Sequence, residues 1–467
     1  MRFFSLTLLA LSAWAVGGVA VAAEGSKPNI VVLFADDTGW GEFGAQGNKE
    51  IPTPNIDSIA AGGVKFTDGY VTCPLCSPSR AGLITGRYQT RFGHEFNERG
   101  AADNFGLPVQ QKTIADRLKT AGYATIGIGK WHLGWRQPEF RPTARGFDEY
   151  YGTMANSAFY NVRLVDTRKS PEPTPVEDDS FYTTDAYADR AVEFINEHKS
   201  EPFFIYLPFN AQHAPLQAPK KYLDRFPQLE GDRKIFAGMM SALDDAVGEV
   251  LGALEKNGLT ENTLVVFLTD NGGPTKTTTS KNDPLRGSKA TMLEGGIRVP
   301  FYMQWKGHLP AGEVYEKPVI SLDILPTALA AAGAKPQAAE ELDGVNLLPY
   351  LTGENEGAPH ESLFWRFGKH WAVRHGDWKL VAANPDGLKT KLYNLAEDVG
   401  ETNDLSDEHP EKVAELQKLY DQWNAENVEP KWKPGPETRK SRARRNRQQA
   451  RKRAQQERVQ EERAGVE

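Results

Sequence analysis

Cysteines are scarce in this sequence, and so are long apolar segments beyond the first 23 residues. Cys73 and Cys76 are the only two cysteines among 467 residues, which excludes a fold held together by a framework of disulfides. After residue 23, no apolar run approaches the roughly 20 residues that a membrane-spanning helix needs. Stability must therefore come from a buried core, and a chain of this length predicts one large domain with a smaller one attached.

The amino terminus has the organisation of a secretory signal peptide. Arg2 precedes an apolar run over residues 3–21, and the small residues Ala22 and Ala23 follow it. Cleavage at this point predicts an exported protein, periplasmic or secreted, without stable membrane insertion. The alternative is an uncleaved anchor, although the apolar run is barely long enough to span a bilayer.

Charge is distributed unevenly along the chain. The formal net charge is −7, yet residues 437–467 contain eleven Lys and Arg against five Asp and Glu, which leaves 44 basic and 57 acidic side chains elsewhere. This tail contains almost no apolar residues and cannot bury a core. We therefore expect an acidic body and a basic tail that is disordered or a solvent-exposed helix. No nucleic-acid partner is expected.

Short apolar segments alternate with helical patterns over most of the chain. Buried strands are predicted over residues 29–34, 124–128, 203–208 and 264–268. Helices are predicted over residues 113–120 and 235–256. This alternation predicts an α/β sandwich with a large, mostly parallel central sheet flanked by helices. Four short strands and a helix within residues 363–426 predict a small C-terminal antiparallel sheet with one helix.

The most specific motif is Cys76-Ser77-Pro78-Ser79-Arg80. It resembles the maturation motif Cys-x-Pro-Ser-Arg of the type I sulfatases, which belong to the alkaline phosphatase superfamily, and it matches that motif in full. The resemblance implies an alkaline-phosphatase-like sandwich. It also implies that a formylglycine-generating or sulfatase-maturing enzyme oxidises Cys76 to formylglycine, which Arg80 would hold in place. A redox pair of Cys73 and Cys76 is the alternative, but a thioredoxin-like context is missing.

A formylglycine hydrate carries two oxygens on one carbon. By resemblance, one oxygen attacks sulfur, and the other later loses a proton, so that sulfate is expelled and the aldehyde re-forms. The segment after Ser79 has a helical pattern. Its free N–H groups and the positive end of its dipole would therefore favour negative charge beside the nucleophile.

Two acidic pairs follow predicted strands that are far apart in the sequence. Asp36 and Asp37 follow the first strand, and Asp270 and Asn271 follow the strand at 264–268. Ligands bind beyond the carboxyl ends of strands in open α/β sheets, and these oxygen ligands suit calcium or magnesium better than zinc. Either pair alone is equally compatible with a turn or a cap. Both pairs match positions at which sulfatases bind calcium, so the resemblance implies a Ca²⁺ site, with Mg²⁺ as the alternative.

Three further segments resemble those of sulfatases. Lys130 and His132 lie in a Gly-Lys-x-His pattern after the strand at 124–128, and residues two apart on an extended segment point the same way. The resemblance implies that Lys130 contacts sulfate and that His132 accepts a proton during sulfate release. His213 follows the strand at 203–208, and Lys289 precedes a sulfatase-like segment. These two residues are implied to bind substrate and assist the leaving group, although His213 alone is compatible with a structural role.

The sequence gives little information about which residues select the substrate. His94, with Glu95 and Asn97 nearby, is a candidate substrate contact. The aromatic group within residues 365–371 is a candidate subsite wall for sugar rings, but core packing is the favoured interpretation. A sulfated saccharide or a sulfated small molecule is the expected substrate.

These sequence patterns divide the chain into a signal peptide (1–23), a catalytic domain (24–355), a C-terminal subdomain (356–432) and the basic tail (433–467). Two other functions stay open at this point. A phosphomonoesterase or phosphonate hydrolase of the same superfamily would use a similar nucleophile and metal site. A non-catalytic binder of sulfated glycans would use the basic tail.

Overall fold

A computed structural model describes residues 27–98, 105–178, 180–334, 341–383 and 387–432. The expected signal peptide and basic tail lie outside these residues. The described strands are β1 Asn29–Ala35, β2 Val64–Phe66, β3 Gly69–Tyr70, β4 Ala124–Lys130, β5 Glu149–Thr153, β6 Arg163–Asp166, β7 Ser170–Pro175, β8 Phe203–Pro208, β9 Thr263–Thr269, β10 Phe301–Gln304, β11 Glu313–Tyr315, β12 Val319–Ile320, β13 Ser362–Phe367, β14 His370–His375, β15 Trp378–Ala382 and β16 Lys391–Asn394. The described helices are α1 Pro54–Ala61, α2 Cys76–Thr85, α3 Ile114–Thr120, α4 Thr183–His198, α5 Lys220–Leu223, α6 Gly231–Lys256, α7 Thr275–Thr278, α8 Glu294–Ile297, α9 Ile324–Ala331, α10 Leu348–Leu351 and α11 Pro410–Ala425.

A ten-stranded sheet forms the centre of the molecule. Its strand order is β11, β2, β10, β9, β1, β8, β4, β5, β6, β7. The five strands from β9 to β5 are parallel to one another, whereas β10 and β6 run antiparallel to the strands beside them. The predicted large, mostly parallel sheet is confirmed. None of the helices in the described ranges is long and apolar enough to cross a membrane.

Helices cover both faces of this sheet because its central strands are apolar on both sides. In β1 every residue is buried. Val31 and Leu33 belong to the core cluster under α4 and α6, while Ile30 and Val32 belong to the cluster under α2, α3 and α9. The alternation of strand side chains between the two faces therefore builds two cores from one apolar run.

A second, four-stranded antiparallel sheet follows near the carboxyl end, in the order β13, β14, β15, β16. Helix α11 packs against β14 and β15, and Leu416, Tyr420 and Trp423 of this helix enter the same core as Trp365. The predicted small sheet with one helix is confirmed. The boundary between residues 355 and 356 stays a prediction.

Buried charges join this small sheet to the rest of the chain. Lys379 of β15 is fully buried, and its Nζ lies 2.7 Å from Glu294 of α8 and 2.9 Å from Glu401. Arg374 of β14 pairs with Asp68, which lies between β2 and β3. Removing one partner of a buried pair strands the other charge, so these contacts fix how the small sheet sits against the segment around α8.

Candidate active site

The predicted site residues converge at one edge of the central sheet. Asp36 and Asp37 follow β1, Lys130 ends β4, and Asp270 follows β9. Strands β9, β1, β8 and β4 are adjacent and parallel, so their carboxyl ends meet at the same edge. His213 is carried by the loop after β8.

Cys76 is the first residue of α2, and it is fully buried. Its Sγ lies 3.5 Å from Asp36 Oδ1 and 3.9 Å from Asp37 Oδ1. The ammonium group of Lys289 donates to Sγ at 3.1 Å. The start of α2 thus places Cys76 between carboxylates and a cation, where the helix dipole favours negative charge. Burial, followed by the negative charge of Asp270, raises the pKa of the Cys76 thiol above its usual value.

Hydrogen bonds of Arg80 connect α2 to the carboxyl ends of β4 and β9. Its Nε and Nη2 donate to Asp270 Oδ2 at 3.1 and 2.8 Å, and its Nη1 donates to the Lys130 carbonyl at 2.9 Å. Arg80 and Asp270 are both fully buried. This bidentate, charge-assisted contact holds α2 against β4 and β9, and so fixes the position of Cys76 relative to the acidic residues.

Three carboxylates, the Cys76 thiol and the amide of Asn271 form a polar cluster at this edge. One ligand atom from each of Asp36, Asp37, Cys76 and Asp270 lies within 4.8 Å of the others. Asn271 donates to Asp37 Oδ1 at 2.8 Å, while its own Oδ1 is buried and accepts no hydrogen bond from the described residues. Carboxylates beside an unused amide oxygen fit a hard divalent cation such as Ca²⁺ or Mg²⁺.

The electrostatics of the cluster follow from burial and from its lysines. Burial opposes ionisation of Asp36, but Lys130, His213 and Arg80 outweigh it, so the pKa of Asp36 is lowered. Burial and the charge of Asp36 together raise the pKa of Asp270 to about 6. Three carboxylates so close together are costly to ionise unless cations compensate them, and a bound divalent cation would contribute that compensation.

His132 lies two residues after Lys130, whose ammonium group contacts Asp36 Oδ2. The backbone of His132 has a φ of 60°, a left-handed conformation that non-glycine residues rarely adopt outside constrained sites. Its Nδ1 is buried and makes no hydrogen bond within the described part of the chain. Burial and then the charges of Lys130 and Arg80 lower the pKa of His132 well below its usual value. This environment favours the neutral ring, which keeps one nitrogen lone pair free.

His213 and Lys289 approach the same carboxylate. His213 Nε2 lies 3.6 Å from Asp37 Oδ2, and its Nδ1 lies 2.6 Å from the Ala214 carbonyl. A carbonyl only accepts, so Nδ1 carries a proton. Lys289 Nζ lies 2.5 Å from Asp37 Oδ1. Both side chains thus border the space beside Cys76 Sγ.

His94 occupies a different position from the other candidates. Its ring is fully buried, with Nε2 2.7 Å from Ser77 Oγ and its edge against Trp432. The ring supports the residue next to Cys76, and its role as a substrate contact stays a prediction. Trp365 is fully buried in the core of the small sheet, which confirms the packing interpretation for this residue.

Two polar residues at the site were not singled out from the sequence. Ser77 donates to the His132 carbonyl at 2.6 Å and so links α2 to the segment after β4. Asn210, three residues before His213, donates to Ser157 Oγ at 2.6 Å. Ser77 occupies the variable position of the cysteine motif, whereas Asn210 lies two residues after the end of a strand and three before a histidine. Only the second pattern is a signal that could have been used.

A family model described as Sulfatase matches residues 28–334. This range contains every catalytic and metal-binding candidate described above. The chain belongs to the sulfatase family. A second family model, described as N-sulphoglucosamine sulphohydrolase, C-terminal, matches residues 288–428 of this sulfatase. That range begins at the segment of Lys289 and includes the small sheet.

Known proteins similar to this sulfatase agree with the assignment. It is 32% identical to N-acetylgalactosamine-6-sulfatase from Sus scrofa, over 88% of this chain and 87% of that protein. It is 35% identical to arylsulfatase A from Homo sapiens, over 85% and 86% of the two chains. The crystal structure of Ps i-CgsB in complex with k-i-k-neocarrahexaose matches with a TM-score of 0.81 and 35% identity, over 87% of this chain and 95% of that one. The prediction of a sulfatase with an alkaline-phosphatase-like fold is confirmed.

Proposed function

We propose that this sulfatase hydrolyses sulfate esters of carbohydrates, using a formylglycine made from Cys76 and a calcium ion. The observation that carries the proposal is the position of Cys76 at the start of α2, with Lys289 Nζ 3.1 Å from its Sγ and carboxylates on its other side. The substrate class is supported by the names of similar proteins, which include an N-acetylgalactosamine-6-sulfatase and a complex with a neocarrahexaose.

A formylglycine at position 76 would supply an oxygen nucleophile for sulfur. Lys289 lies close enough to stabilise negative charge on that oxygen. The N-terminus of α2 acts in the same direction. Arg80 holds the residue in position by fixing α2 to Asp270. Precise positioning of a nucleophile contributes a large part of most enzymatic rate enhancements.

The calcium ion, or magnesium in its place, supplies charge neutralisation for sulfate. Asp36, Asp37, Asp270 and Asn271 would hold it. Lys130, which now contacts Asp36, would bind a sulfate oxygen together with Lys289 and His213.

In this proposal, His132 and His213 each take part in a different proton transfer. Burial and nearby cations lower the pKa of His132 and so favour its neutral form, which has the free lone pair that a proton acceptor for sulfate release requires. His213 borders the open side of the site, with one fifth of its side chain exposed. Because Nδ1 already carries a proton, Nε2 would donate to the departing alkoxide from the doubly protonated ring, with the ammonium group of Lys289 beside it. His94 would support this arrangement through Ser77.

The proposed cellular context follows from the sequence. We propose that residues 1–23 direct export to the periplasm or the medium, and that a formylglycine-generating or sulfatase-maturing enzyme acts on Cys76. The catalytic domain would comprise residues 24–355 and the C-terminal subdomain residues 356–432.

The test compares sulfate and phosphate esters of one alcohol, together with a panel of defined sulfated sugars, using protein made with a maturing enzyme. We expect sulfate release from nitrophenyl sulfate and from at least one sulfated sugar, and slower cleavage of the phosphate ester. A preference for phosphate would favour a phosphomonoesterase. Inactivity of protein with a fully converted Cys76 would favour a glycan binder.

The metal is tested by its content rather than by activity alone. Asn271→Ala removes the unused amide oxygen while keeping the Arg80 and Asp270 pair. We expect bound calcium, measured by elemental analysis after dialysis, to fall in this variant and remain in the matched control Asn257→Ala at the end of α6. Equal calcium content in the two variants would argue against Asn271 as a ligand.

A further inference from the structure

A cavity of about 520 Å³ lies beyond the end of β5. Its walls come from three segments: residues 153–157 after β5, Trp135 after β4, and Arg163 with Glu172 and Pro173 from the β6–β7 hairpin. The volume lies within the range of about 300–1,000 Å³ that is typical of small-molecule sites. None of the catalytic candidates is among the cavity walls.

The cavity adjoins the active site through backbone contacts. Lys130 of β4 is in register with Thr153 of β5, and neighbouring strands lie about 4.8 Å apart. The His132 N–H donates to the Met154 carbonyl at 3.0 Å. Thr153 and Met154 line the cavity, so its wall continues directly from the segment that carries Lys130 and His132.

A second link runs to the loop of His213. Asn210 is almost fully buried, and its amide contacts Ser157 Oγ at 2.6 Å. Its Oδ1 is buried and accepts no hydrogen bond from any described residue. The His213 N–H donates to the Asn210 carbonyl at 2.8 Å. Asn210 therefore joins the cavity wall to the leaving-group side of the proposed mechanism.

Three arginines lie at or near the cavity wall, and two of them are paired with carboxylates. Arg141 pairs with Glu172 at 2.7 Å and Arg136 pairs with Glu98 at 3.3 Å. Arg163 is exposed, and its Nη2 donates to the Pro173 carbonyl at 2.6 Å; no carboxylate among the described residues pairs with it. The guanidinium of Arg163 is thus available to an anion, and planar guanidinium groups bind sulfate-like and carboxylate oxygens well.

Trp135 gives the cavity an aromatic wall. It is half-buried, the guanidinium of Arg136 lies 5.2 Å from the centre of its ring, and Arg141 donates to its carbonyl at 3.0 Å. These contacts hold the indole in place. Fixed aromatic rings contribute a large contact area at a low entropic cost.

From these observations we propose that this cavity is a subsite for a second, anionic sugar, next to the sugar whose sulfate is cleaved. This inference rests on the proposed function and makes it more specific: the substrate is an oligosaccharide, with a sulfate or a uronate carboxylate on the neighbouring unit. Arg163 binds the anionic group, and Trp135 packs against the sugar ring.

The test uses Trp135→Ala and Arg163→Gln in the full-length, matured protein. The measured quantity is kcat/KM for a hexasaccharide divided by kcat/KM for nitrophenyl sulfate. Three hexasaccharides are compared, in which the units beside the cleavable sulfate carry sulfate, uronate or no charge. We expect each variant to lower this ratio by about tenfold for an anionic hexasaccharide, the scale of one stacking or charged contact. The hexasaccharide whose ratio falls in Arg163→Gln identifies the anionic group that Arg163 binds.

The control is Arg225→Gln, which removes an exposed arginine that is paired with Asp245 of α6 and is not part of the cavity wall. This variant should leave the ratio unchanged. Ratios equal to wild type in Trp135→Ala and Arg163→Gln on every hexasaccharide would overturn the subsite, while hydrolysis of nitrophenyl sulfate would keep the sulfatase proposal intact. Calorimetric binding of the anionic hexasaccharides to the Cys76→Ala protein gives a second readout that is independent of turnover, and it too should weaken about tenfold in the Arg163→Gln background.

Discussion

At the scale of single residues, Cys76 presents a chemical contradiction. It is fully buried, and burial raises the pKa of its thiol, whereas a reactive cysteine needs an accessible thiolate. An unmodified Cys76 is therefore a poor nucleophile, despite the lysine beside it. Oxidation to formylglycine resolves the contradiction, because an aldehyde hydrate brings its own hydroxyl groups.

We predict that Cys76 is converted to formylglycine before the chain folds, because the maturing enzyme cannot reach a fully buried side chain. Peptide mass spectrometry of protein made with the maturing enzyme should show that residue 76 has lost sulfur and two hydrogens and gained oxygen. Folded protein treated with the same enzyme afterwards should stay unconverted.

Cys73 provides the internal control for this experiment. It is equally buried, it lies three residues away, and it lacks the Pro-Ser-Arg sequence that follows Cys76. It should remain a thiol throughout. An active preparation in which residue 76 is still cysteine would contradict the mechanism.

The two histidines lead to separable predictions. His213→Ala should slow hydrolysis of a sugar sulfate, whose alkoxide is a poor leaving group, by about a hundredfold to ten-thousandfold. The same variant should slow nitrophenyl sulfate much less, since nitrophenolate needs little protonation. The measurement is kcat/KM for both substrates.

His132→Ala is the matched comparison. If His132 serves sulfate release, this variant should lower kcat for both substrates alike, since the intermediate that it resolves is the same. Equal losses on the two substrates in His213→Ala would argue against leaving-group assistance.

At the scale of secondary structure, the strands that carry the site could be predicted from sequence because their apolar runs are continuous. The prediction for residues 203–208 coincides with β8. Strand β1 extends one residue beyond its prediction at the carboxyl end, and β9 extends one residue beyond its prediction at each end. The strand predicted to end at Ile128 continues to Lys130, because Gly129 and Lys130 pair with β5. That pairing is a long-range contact, which a local pattern does not report.

Other elements were not predicted for identifiable reasons. Strand β7 contains Pro171, Pro173 and Pro175, which argue against a strand except at an edge, and β7 is an edge strand. Helix α4 does carry a helical pattern of buried residues such as Tyr187, Ala191 and Phe194, so this signal was available and was overlooked. The cavity beside β5 could not be foreseen, because it depends on the β6–β7 hairpin.

One histidine outside the site connects two elements and gives a prediction for stability. His360 precedes β13, and its Nε2 lies 2.8 Å from Oδ1 of Asp323, which precedes α9. Burial opposes protonation of His360, but the charge and hydrogen bond of Asp323 outweigh it, so its pKa is raised. The folded state therefore binds this proton more tightly than the unfolded state. The resulting stabilisation is complete below about pH 6.5 and is lost as the pH rises through the folded-state pKa.

We predict that His360→Gln lowers the free energy of unfolding at pH 6 by about 1–3 kcal/mol, the range for a buried hydrogen bond to a charged group. At pH 8.5 the loss should be smaller. Urea unfolding at both pH values measures the difference. The control is His409→Gln, which changes a half-buried histidine whose Nδ1 lies 3.5 Å from the exposed Glu411 and should alter the two values much less. A pH-independent loss in His360→Gln would exclude the ion pair as its cause.

At the scale of the whole molecule, hydrogen bonds and ion pairs connect the small sheet to the segment that carries Lys289 of the candidate active site. Glu401 accepts from the Glu294 N–H at 2.7 Å, and its carbonyl accepts from Arg286 at 2.9 Å. Lys379 pairs with both glutamates. Arg286 and Glu294 flank Lys289 in sequence, so the position of Lys289 beside Cys76 depends on residues of the C-terminal region. The overlap of the two family matches, over residues 288–334, falls on this same segment.

The charge distribution of the whole chain gives the last prediction. Residues 437–467 carry eleven basic and five acidic side chains, whereas the rest of the chain is acidic. A cluster of one sign attracts polyanions at low salt and is screened beyond about 8 Å at physiological ionic strength. Truncation after Lys433 should therefore leave turnover of nitrophenyl sulfate unchanged and weaken action on a long sulfated polysaccharide at low salt. High salt should abolish the difference, since it screens the tail. A tail without this role predicts equal rates on the polymer at low ionic strength, so one comparison of the two proteins separates the alternatives.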